Sequence, residues 1–299
     1  MKQSMEMMKA ALVENAHATE TAMKEIFFAR DEDIAVLLDA EAYSLFAGGK
    51  RVRPFLVNEI CRMLGGEVSA SMAYACALEM IHTYSLIHDD LPCMDDDDMR
   101  RGKPTNHKVF GYANALLAGD ALLTHAFGVA AENPNATPAQ NAEAVSVLSR
   151  SAGEFGMIGG QIMDLDGETK RLDLEHLLKL HSMKTGALMV CAAKLGAIAA
   201  GFSTDSPEAL AVAEYAAKIG LAFQVIDDVL DVVGDEAELG KSLRSDAERN
   251  KTTFMTYYTV DEARAYAAAL TAEAVSAISE FDGSATLTDL AAYLLDRTN

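Results

Sequence analysis

The apolar positions along this chain recur with the spacing of helices rather than strands. Long runs of Ala, Leu, Met and Glu alternate with short polar segments, and the chain has only six prolines and no tryptophan. These residues favour helix over sheet. We predict a nearly all-α fold with helices near residues 5–28, 31–46, 53–64, 70–91, 113–131, 138–155, 173–200, 207–234, 261–281 and 285–297.

Two helix starts are marked by local sequence. Thr137-Pro138-Ala139-Gln140 combines a capping Thr, a Pro in the first turn and a Gln three residues after the Thr. Ser206-Pro207-Glu208 repeats the cap and the proline. Helices are therefore expected to begin at about residues 138 and 207. No linker and no repeat of fixed period divides the chain, so residues 1–299 are expected to form one domain.

Composition and charge narrow the class of protein. Half of the residues are hydrophobic and the formal net charge is −20, which indicates a packed chain with an acidic surface. Such a surface opposes nucleic acid. The four cysteines are widely spaced without a CxxC pair, which argues against zinc and disulfides and favours a cytoplasmic location. The longest apolar stretch, Gly186 to Phe202, is interrupted by Lys194, so no membrane span is predicted.

An aspartate cluster lies within the predicted apolar helix near 207–234. Asp227, Asp228 and Asp231 occupy positions i, i+1 and i+4, so Asp227 and Asp231 share a face, with Cα atoms ~6 Å apart. Two carboxylates at this spacing can share a divalent ion. A solvated acidic stripe on a surface helix is the alternative.

A second cluster makes the metal interpretation stronger. Asp89 and Asp90 end an apolar helix that Pro92 stops, and Asp95 follows in a polar loop from Pro92 to Tyr112. The loop continues Met99-Arg100-Arg101-Gly102-Lys103, which puts arginines beside carboxylates. This combination suits a metal-bridged diphosphate. The spacing of a calcium-binding loop is absent.

By these residues the chain resembles the trans-polyprenyl diphosphate synthases. The motifs that carry the resemblance occur in the family's order over roughly residues 40 to 255: GGKRVRP (48–54), DDLPCMDDDDMRRGKPTNHKVFG (89–111), KTGAL (184–188) and FQVIDDVLDVVGD (223–235). The resemblance implies an all-helical bundle around a deep central cavity, and homodimers. It also implies Mg²⁺, as three ions when the allylic diphosphate is bound.

Site residues follow from the same resemblance, position by position. It implies that Mg²⁺ is bound by Asp89, Asp90, Asp95, Asp227, Asp228 and Asp231. It implies that the allylic diphosphate is assisted by Arg100, Lys184, Lys241 and the late lysine Lys251. Thr185 and Gln224 match positions near the reacting carbons. Isopentenyl diphosphate is expected to contact Lys50, Arg53, His82 and Arg101.

The family's product length is attributed to bulk five residues before the first aspartate, where this chain has Tyr84. An aromatic residue there resembles farnesyl diphosphate synthases, so Tyr84 is expected to form the floor of the pocket. A helical wheel alone does not support this, because Tyr84 lies about 140° from Asp89. The Phe-Met-Thr-Tyr-Tyr sequence after Thr253 and the C-terminus at Arg297 depart from the family pattern, and Cys93 has no expected role.

Three other functions remain open at this point. A geranylgeranyl diphosphate synthase differs in pocket depth and not in mechanism. A class I terpene cyclase also binds diphosphate through aspartates, but it has no need for the second-substrate set Lys50, Arg53, His82 and Arg101. The third is a non-catalytic helical partner subunit. Loss of aspartates from either cluster would indicate such a subunit, and this chain has lost none.

Overall fold

The structure is a computed structural model that describes residues 2–27, 31–233 and 251–296. Within these residues it is almost entirely helical, as the sequence predicts. Two residues with expected roles, Lys241 and Arg297, lie outside the described part of the chain.

Thirteen α-helices are described, and their bounds lie within a few residues of most predictions. They are α1 Lys2–Ile26, α2 Ala35–Leu45, α3 Val52–Met63, α4 Val68–Asp89, α5 Asn106–Phe110, α6 Tyr112–Ala131, α7 Pro138–Ala152, α8 Met157–Gly167, α9 Leu174–His181, α10 Ala187–Ala199, α11 Pro207–Val233, α12 Val260–Ala277 and α13 Ala285–Leu295. A π turn spans Ser182–Gly186 and a 3₁₀ turn spans Phe254–Thr256.

The core forms around α4 and α10, because both helices are apolar on most of their circumference. Helix α4 packs against α3, α6 and α10, and the side chains of Tyr74, Leu78 and Ile81 are fully buried. Helix α11 lies against α10 on one side and α12 on another. The site residues on α4 and α11 are therefore positioned by long helices that are fixed in the core.

The two predicted helix starts are confirmed. Thr137 accepts from the backbone N–H of Gln140 and the Gln140 side chain bonds back, which closes a capping box before Pro138. Helix α11 begins at Pro207. The predicted helices near 138–155 and 261–281 are three to four residues too long, since they end at Ala152 and Ala277.

Two predictions about local structure were wrong. The segment between the helices near 138–155 and 173–200 contains helix α8, whose pattern is weakened by Gly159 and Gly160. The polar loop 92–112 contains α5 and a small antiparallel hairpin, β1 Met99–Arg100 with β2 Lys103–Pro104. The helix expected at 173–200 is confirmed over residues 174–199, and its middle, Ser182–Gly186, is a π turn between α9 and α10.

Among the described helices, α11 alone is long and apolar enough to cross a membrane by length and composition. Half of its most apolar segment is buried inside the fold, and its last turns carry Asp227, Asp228 and Asp231. A mostly buried helix of this composition is typical of a protein core. We interpret α11 as a core helix that carries the second aspartate cluster.

Helix α8 approaches the π turn so closely that only glycine fits at the contact. A Cβ added to Gly160 would lie 2.6 Å from the Cα of Lys184 and 2.8 Å from the carbonyl carbon of Met183. These are backbone atoms, which cannot turn aside as a flexible side chain does. The contact at Gly160 therefore sets the distance between α8 and the π turn.

We predict that Gly160→Ala lowers the free energy of unfolding by about 1–3 kcal/mol, because the methyl group forces the two backbones apart. Gly128→Ala in α6 is the matched control, since an added Cβ there has no neighbour within 4 Å. It should stabilise the protein by up to ~1 kcal/mol through helix propensity alone. Chemical denaturation of both variants checks this, and equal stability of the two would contradict the tight contact.

Candidate active site

Two cavities meet at the π turn. One has a volume of about 570 Å³ and the other about 560 Å³, and Arg53, His82 and Thr185 line both of them. A π turn widens the helix locally and often occurs at functional sites. Here it carries Lys184 and Thr185 at the wall that the cavities share. Two ligands bound in these cavities would therefore lie next to each other.

The first cavity is strongly basic. All four residues expected to contact isopentenyl diphosphate line it: Lys50, Arg53, His82 and Arg101. Burial lowers the pKa of His82 well below its usual value, and the arginines around it lower that pKa further, so the imidazole is neutral. These positive charges attract an anion to the first cavity, although the protein as a whole is acidic.

Arg51 and Glu79 form a buried ion pair in the lining of the basic cavity. Arg51 adopts a left-handed backbone conformation (φ 48°) and donates to the Glu79 carboxylate at 2.6 Å and to the Leu45 carbonyl at 2.6 Å. Glu79 is the acidic residue of the cavity lining and its charge favours protonated Arg53 and Arg101. Arg51 was not singled out from sequence, and its contacts give it a structural role.

The end of the chain also contributes to the first cavity. Leu294 of α13 lines it, and the neighbouring Tyr293 ring lies 5.8 Å from the Lys50 ammonium. This distance permits a cation–π contact. Helix α13 thus closes one side of the cavity, although Arg297 beyond it lies outside the described residues.

The second cavity is mainly apolar and lies between α4, α6 and α8. Tyr84 and Asp89 both line it, so the two residues share the cavity in spite of their angular separation on a helical wheel. Tyr84 is buried, its ring packs edge-on against His88 at 5.6 Å, and burial raises its pKa to about 12. Its hydroxyl has no hydrogen-bond partner among the described residues. The ring therefore supplies bulk at the cavity wall.

The first aspartate cluster is assembled by the loop after α4. The backbone N–H of Asp95 donates to the Asp89 carbonyl at 2.8 Å, so the loop folds Asp95 back toward Asp89. Burial raises the pKa of Asp89 to about 6; Lys184 opposes this rise, and Asp95 adds to it. A carboxylate in this environment is poised to gain from a nearby cation.

The Asp90 carboxylate forms an ion pair with Arg100. The buried Asp90 carboxylate accepts from Arg100 Nε at 2.8 Å and from Arg100 Nη2 at 2.6 Å. A forked contact of this kind is the strong form of an ion pair. In this structure Arg100 therefore pairs with a carboxylate of the first cluster, where the sequence suggested a diphosphate ligand.

The second cluster is tied to the π turn by a hydrogen-bond chain. Thr185 Oγ1 donates to Gln224 Oε1 at 3.2 Å, and Gln224 Nε2 donates to Asp228 Oδ1 at 3.3 Å. The other Asp228 oxygen accepts from the backbone N–H of Phe254 at 2.8 Å. Asp228 is thus engaged in holding the chain after the cluster. Asp231 is buried beside it and Asp227 is half-buried.

Sequence reasoning missed Asp164 on α8. Its Oδ2 atom accepts from Lys184 Nζ at 2.6 Å and from Lys251 Nζ at 2.8 Å. Lys251 also lies 3.9 Å from the Asp95 carboxylate. The expected ligands Lys184 and Lys251 are therefore brought together, and the first cluster lies beside them. An apolar, regularly spaced face on residues 157–165 was the available signal for α8.

The residues present fit a hard divalent cation. Asp89 and Asp95 offer carboxylate oxygens, which are the ligands that Mg²⁺ prefers. Among the described residues, Asp96, Asp98 and His107 also come within 4.8 Å of one another, but Asp98 pairs with Lys108 at 2.6 Å. This group differs from the ligands expected from the sequence and includes an imidazole.

His181 immediately precedes the π turn. Its ring stacks on Phe254 with the centroids 5.2 Å apart, and its Nε2 atom is buried with no hydrogen-bond partner in the described part of the chain. Burial lowers the pKa of His181 to about 4. The neutral ring therefore packs between the π turn and the segment that carries Lys251.

The chain is similar over most of its length to a known family and to several relatives. The sequence profile described as Polyprenyl synthetase matches residues 35–289. A farnesyl diphosphate synthase of Geobacillus stearothermophilus is 47% identical over 245 residues, which is 81% of this chain and 82% of the relative. The large subunit 1 of a heterodimeric chloroplast geranylgeranyl pyrophosphate synthase of Arabidopsis thaliana is 47% identical over 269 residues, covering 87% of this chain and 72% of the relative.

Solved structures share the fold over nearly the whole chain. An FPP/GFPP synthase from Zymomonas mobilis superposes with a TM-score of 0.87 at 34% identity, covering 97% of this chain and 99% of that one. A geranylgeranyl pyrophosphate synthetase from Pyrococcus horikoshii gives 0.88 at 31% identity, covering 98% and 99%.

The helical fold and the similarity to these relatives and structures show that the protein is a trans-prenyltransferase. More particularly, the chain belongs to the polyprenyl synthetase family.

We predict that His181 makes the protein sensitive to mild acid. Its pKa is lower in the folded state than the usual 6.5, so the unfolded chain binds a proton first and stability is lost as pH falls from about 6.5 toward about 4. His181→Phe keeps a stacked ring and removes the proton site. Relative to the variant, the wild type should lose about 1–2 kcal/mol of unfolding free energy between pH 7 and pH 5. A constant difference across this range would refute the assignment.

Proposed function

We propose that the protein condenses isopentenyl diphosphate with an allylic diphosphate, dimethylallyl or geranyl, to make farnesyl diphosphate. The observation that carries this proposal is the pair of cavities at the π turn. One is basic and suits a diphosphate group, and the other is apolar and has carboxylates and Lys184 at its mouth. A prenyl chain with its diphosphate fits the second, and a small second diphosphate fits the first.

Ionisation of the allylic substrate is assigned to the second cavity. Mg²⁺ bound by the aspartates would supply positive charge to the departing diphosphate, the kind of electrostatic stabilisation that usually dominates catalysis. Lys184 and Lys251 stand beside the first cluster and can donate to the same oxygens. In the second cluster, Asp227 and Asp231 are the proposed ligands, with Asp228 shared between metal binding and its hydrogen bonds.

Condensation is assigned to the shared wall. The hydroxyl of Thr185 and the amide of Gln224 are polar groups without full charge, so they can face a carbocation without trapping it. Isopentenyl diphosphate in the basic cavity places its double bond on the same side, held by Arg53 and Arg101. The proton lost after bond formation is transferred to the departing diphosphate, since burial and the surrounding arginines lower the pKa of His82 and make its imidazole a poor proton acceptor.

The proposed farnesyl product rests on Tyr84. Its ring is buried at the wall of the apolar cavity and has no polar partner among the described residues that would give it another role. A bulky ring there limits the length of chain that the cavity holds. A geranylgeranyl product is the alternative, because relatives of both kinds match at similar identity.

We further propose a homodimer in the cytoplasm. Exposed apolar side chains lie on α6, on α8 and in the turn before α8, where Leu117, Ile162 and Phe155 expose 54%, 60% and 86% of their surface. Ile162 also lines the apolar cavity, so a second copy on this face would shield a bound prenyl chain from water. The described cysteines are free thiols, which suits a reducing compartment.

Two further alternatives are less well supported. A class I terpene cyclase has no use for the basic cavity formed by Lys50, Arg53 and Arg101. A non-catalytic partner subunit has no use for two complete aspartate clusters with lysines between them. Both alternatives predict that the protein alone does not join isopentenyl diphosphate to a primer.

We predict Mg²⁺-dependent condensation when the purified protein is given isopentenyl diphosphate and, separately, dimethylallyl, geranyl or farnesyl diphosphate. Asp89→Ala and Asp227→Ala should each lower turnover by at least about 100-fold, because the departing diphosphate is then no longer stabilised by a bound metal ion. Asp205→Ala, an exposed change before α11, is the control for charge removal. Products are resolved by chain length, and circular dichroism checks helicity. No condensation with any primer would defeat the proposal.

We predict that Tyr84→Ala lengthens the main product beyond farnesyl diphosphate, because it removes the ring from the cavity wall. Tyr84→Phe is the matched control: it keeps the ring and removes only a hydroxyl that has no partner in the described structure. It should leave the product unchanged. Product analysis by chromatography decides, and a farnesyl product from both variants would remove Tyr84 from the floor of the pocket.

A further inference from the structure

Asp164 joins two lysines through a single oxygen atom. Lys184 comes from the π turn and Lys251 from the segment before the 3₁₀ turn, so the contact spans three separate parts of the chain. Both Nζ atoms bond to Asp164 Oδ2, at 2.6 and 2.8 Å. All three side chains are largely buried, with exposures of 13% for Asp164, 26% for Lys184 and 13% for Lys251.

The charges of this group depend on one another. Burial raises the pKa of Asp164, but Lys184 and Lys251 outweigh burial, so the carboxyl stays ionised. Two ammonium groups that share one oxygen are necessarily close together, and without the carboxylate they would repel each other in a partly buried site. Asp164 therefore fixes both lysines at one point beside Asp95.

The lysines can still bind a ligand while they are held. An ammonium has three N–H donors, and the contact with Asp164 uses one from each lysine. The others can reach phosphate oxygens without breaking the contact. Because Asp164 already holds both lysine side chains in place, less side-chain freedom is lost when a diphosphate binds.

We propose that Asp164 is a positioning residue for the allylic diphosphate, which it holds indirectly by keeping Lys251 together with Lys184, a residue of the apolar cavity lining. This inference rests on the proposed function, which places that diphosphate beside the two lysines. Asp164 itself touches neither substrate. Its action is confined to the allylic side, because the basic cavity is formed by other residues, Lys50, Arg53 and Arg101 among them.

The test compares three changes on α8. Asp164→Asn removes the charge and keeps the size, and Asp164→Glu restores a carboxylate on a longer side chain. Asp166→Asn is the matched control, because Asp166 is exposed on the same helix and pairs only loosely with Lys170 at 3.4 Å. Steady-state kinetics with geranyl and isopentenyl diphosphate are measured for each, and calorimetry gives the affinity for inorganic diphosphate with Mg²⁺.

Asp164→Asn should raise the KM for geranyl diphosphate and the Kd for inorganic diphosphate by about tenfold or more, since misplaced groups lose much of their binding energy. The KM for isopentenyl diphosphate should stay within about twofold of the wild type, as expected for separate sites. Asp164→Glu should recover part of the loss, and Asp166→Asn should behave as the wild type. If Asp164 had only a structural role, Asp164→Asn would weaken the binding of both substrates to a similar extent.

A double-mutant cycle shows whether Asp164 acts through the lysines. In a Lys251→Met background the effect of Asp164→Asn should shrink, whereas independent roles would give additive losses. If the lysine variants weaken diphosphate binding and Asp164→Asn does not, the inference is overturned and the proposed function stands. If the lysine variants bind diphosphate as the wild type does, the proposed placement of the allylic group fails, and the inference fails with it.

Discussion

The site depends on the close contact between two backbones, α8 at Gly160 and the π turn at Lys184. Because no side chain separates them, α8 carries Asp164 directly to Lys184, and the π turn presents Thr185 to Gln224 on the opposite side. The same turn forms the wall shared by the two cavities. One local packing constraint thus positions Lys184 and Thr185 relative to Asp164, Gln224 and both cavities.

Charge is the second organising factor. The chain has a formal net charge of −20, yet Arg51, Arg53 and Arg101 all line the basic cavity, where the charge of Glu79 favours the protonated forms of Arg53 and Arg101. Asp89 and Lys184 both line the neighbouring cavity. In an acidic protein the basic cavity is a local region of positive charge. Each carboxylate of the first cluster either is paired with a cation or gains from one.

Much of this could be predicted from sequence, and the failures have physical causes. Helix α4 and the cap at Thr137 are encoded locally, by apolar runs and a four-residue box, so the sequence is sufficient for them. Helix α8 contains Gly159 and Gly160, which lower helix propensity but are required by the contact with the π turn. Asp164 could not be assigned without α8, since its partners lie 20 and 87 residues away.

The roles of individual aspartates could likewise not be predicted from sequence alone. Their spacing indicates metal binding, but the pairing of Asp90 with Arg100 and of Asp228 with Phe254 depends on how separate segments meet. A helical wheel likewise separated Tyr84 from Asp89, whereas the cavity between α4, α6 and α8 is wide enough to include both. Tertiary contact decides which of the acidic groups remain available.

The central claim is that two diphosphates bind on opposite sides of the π turn. The most direct measurement is a crystal structure of the protein with Mg²⁺, isopentenyl diphosphate and an unreactive thio analogue of geranyl diphosphate. The account predicts the analogue's diphosphate at Lys184 and Lys251 with its chain toward Tyr84, and isopentenyl diphosphate at Arg53 and Arg101. Both diphosphates in one cavity, or a prenyl chain in the basic cavity, would contradict it.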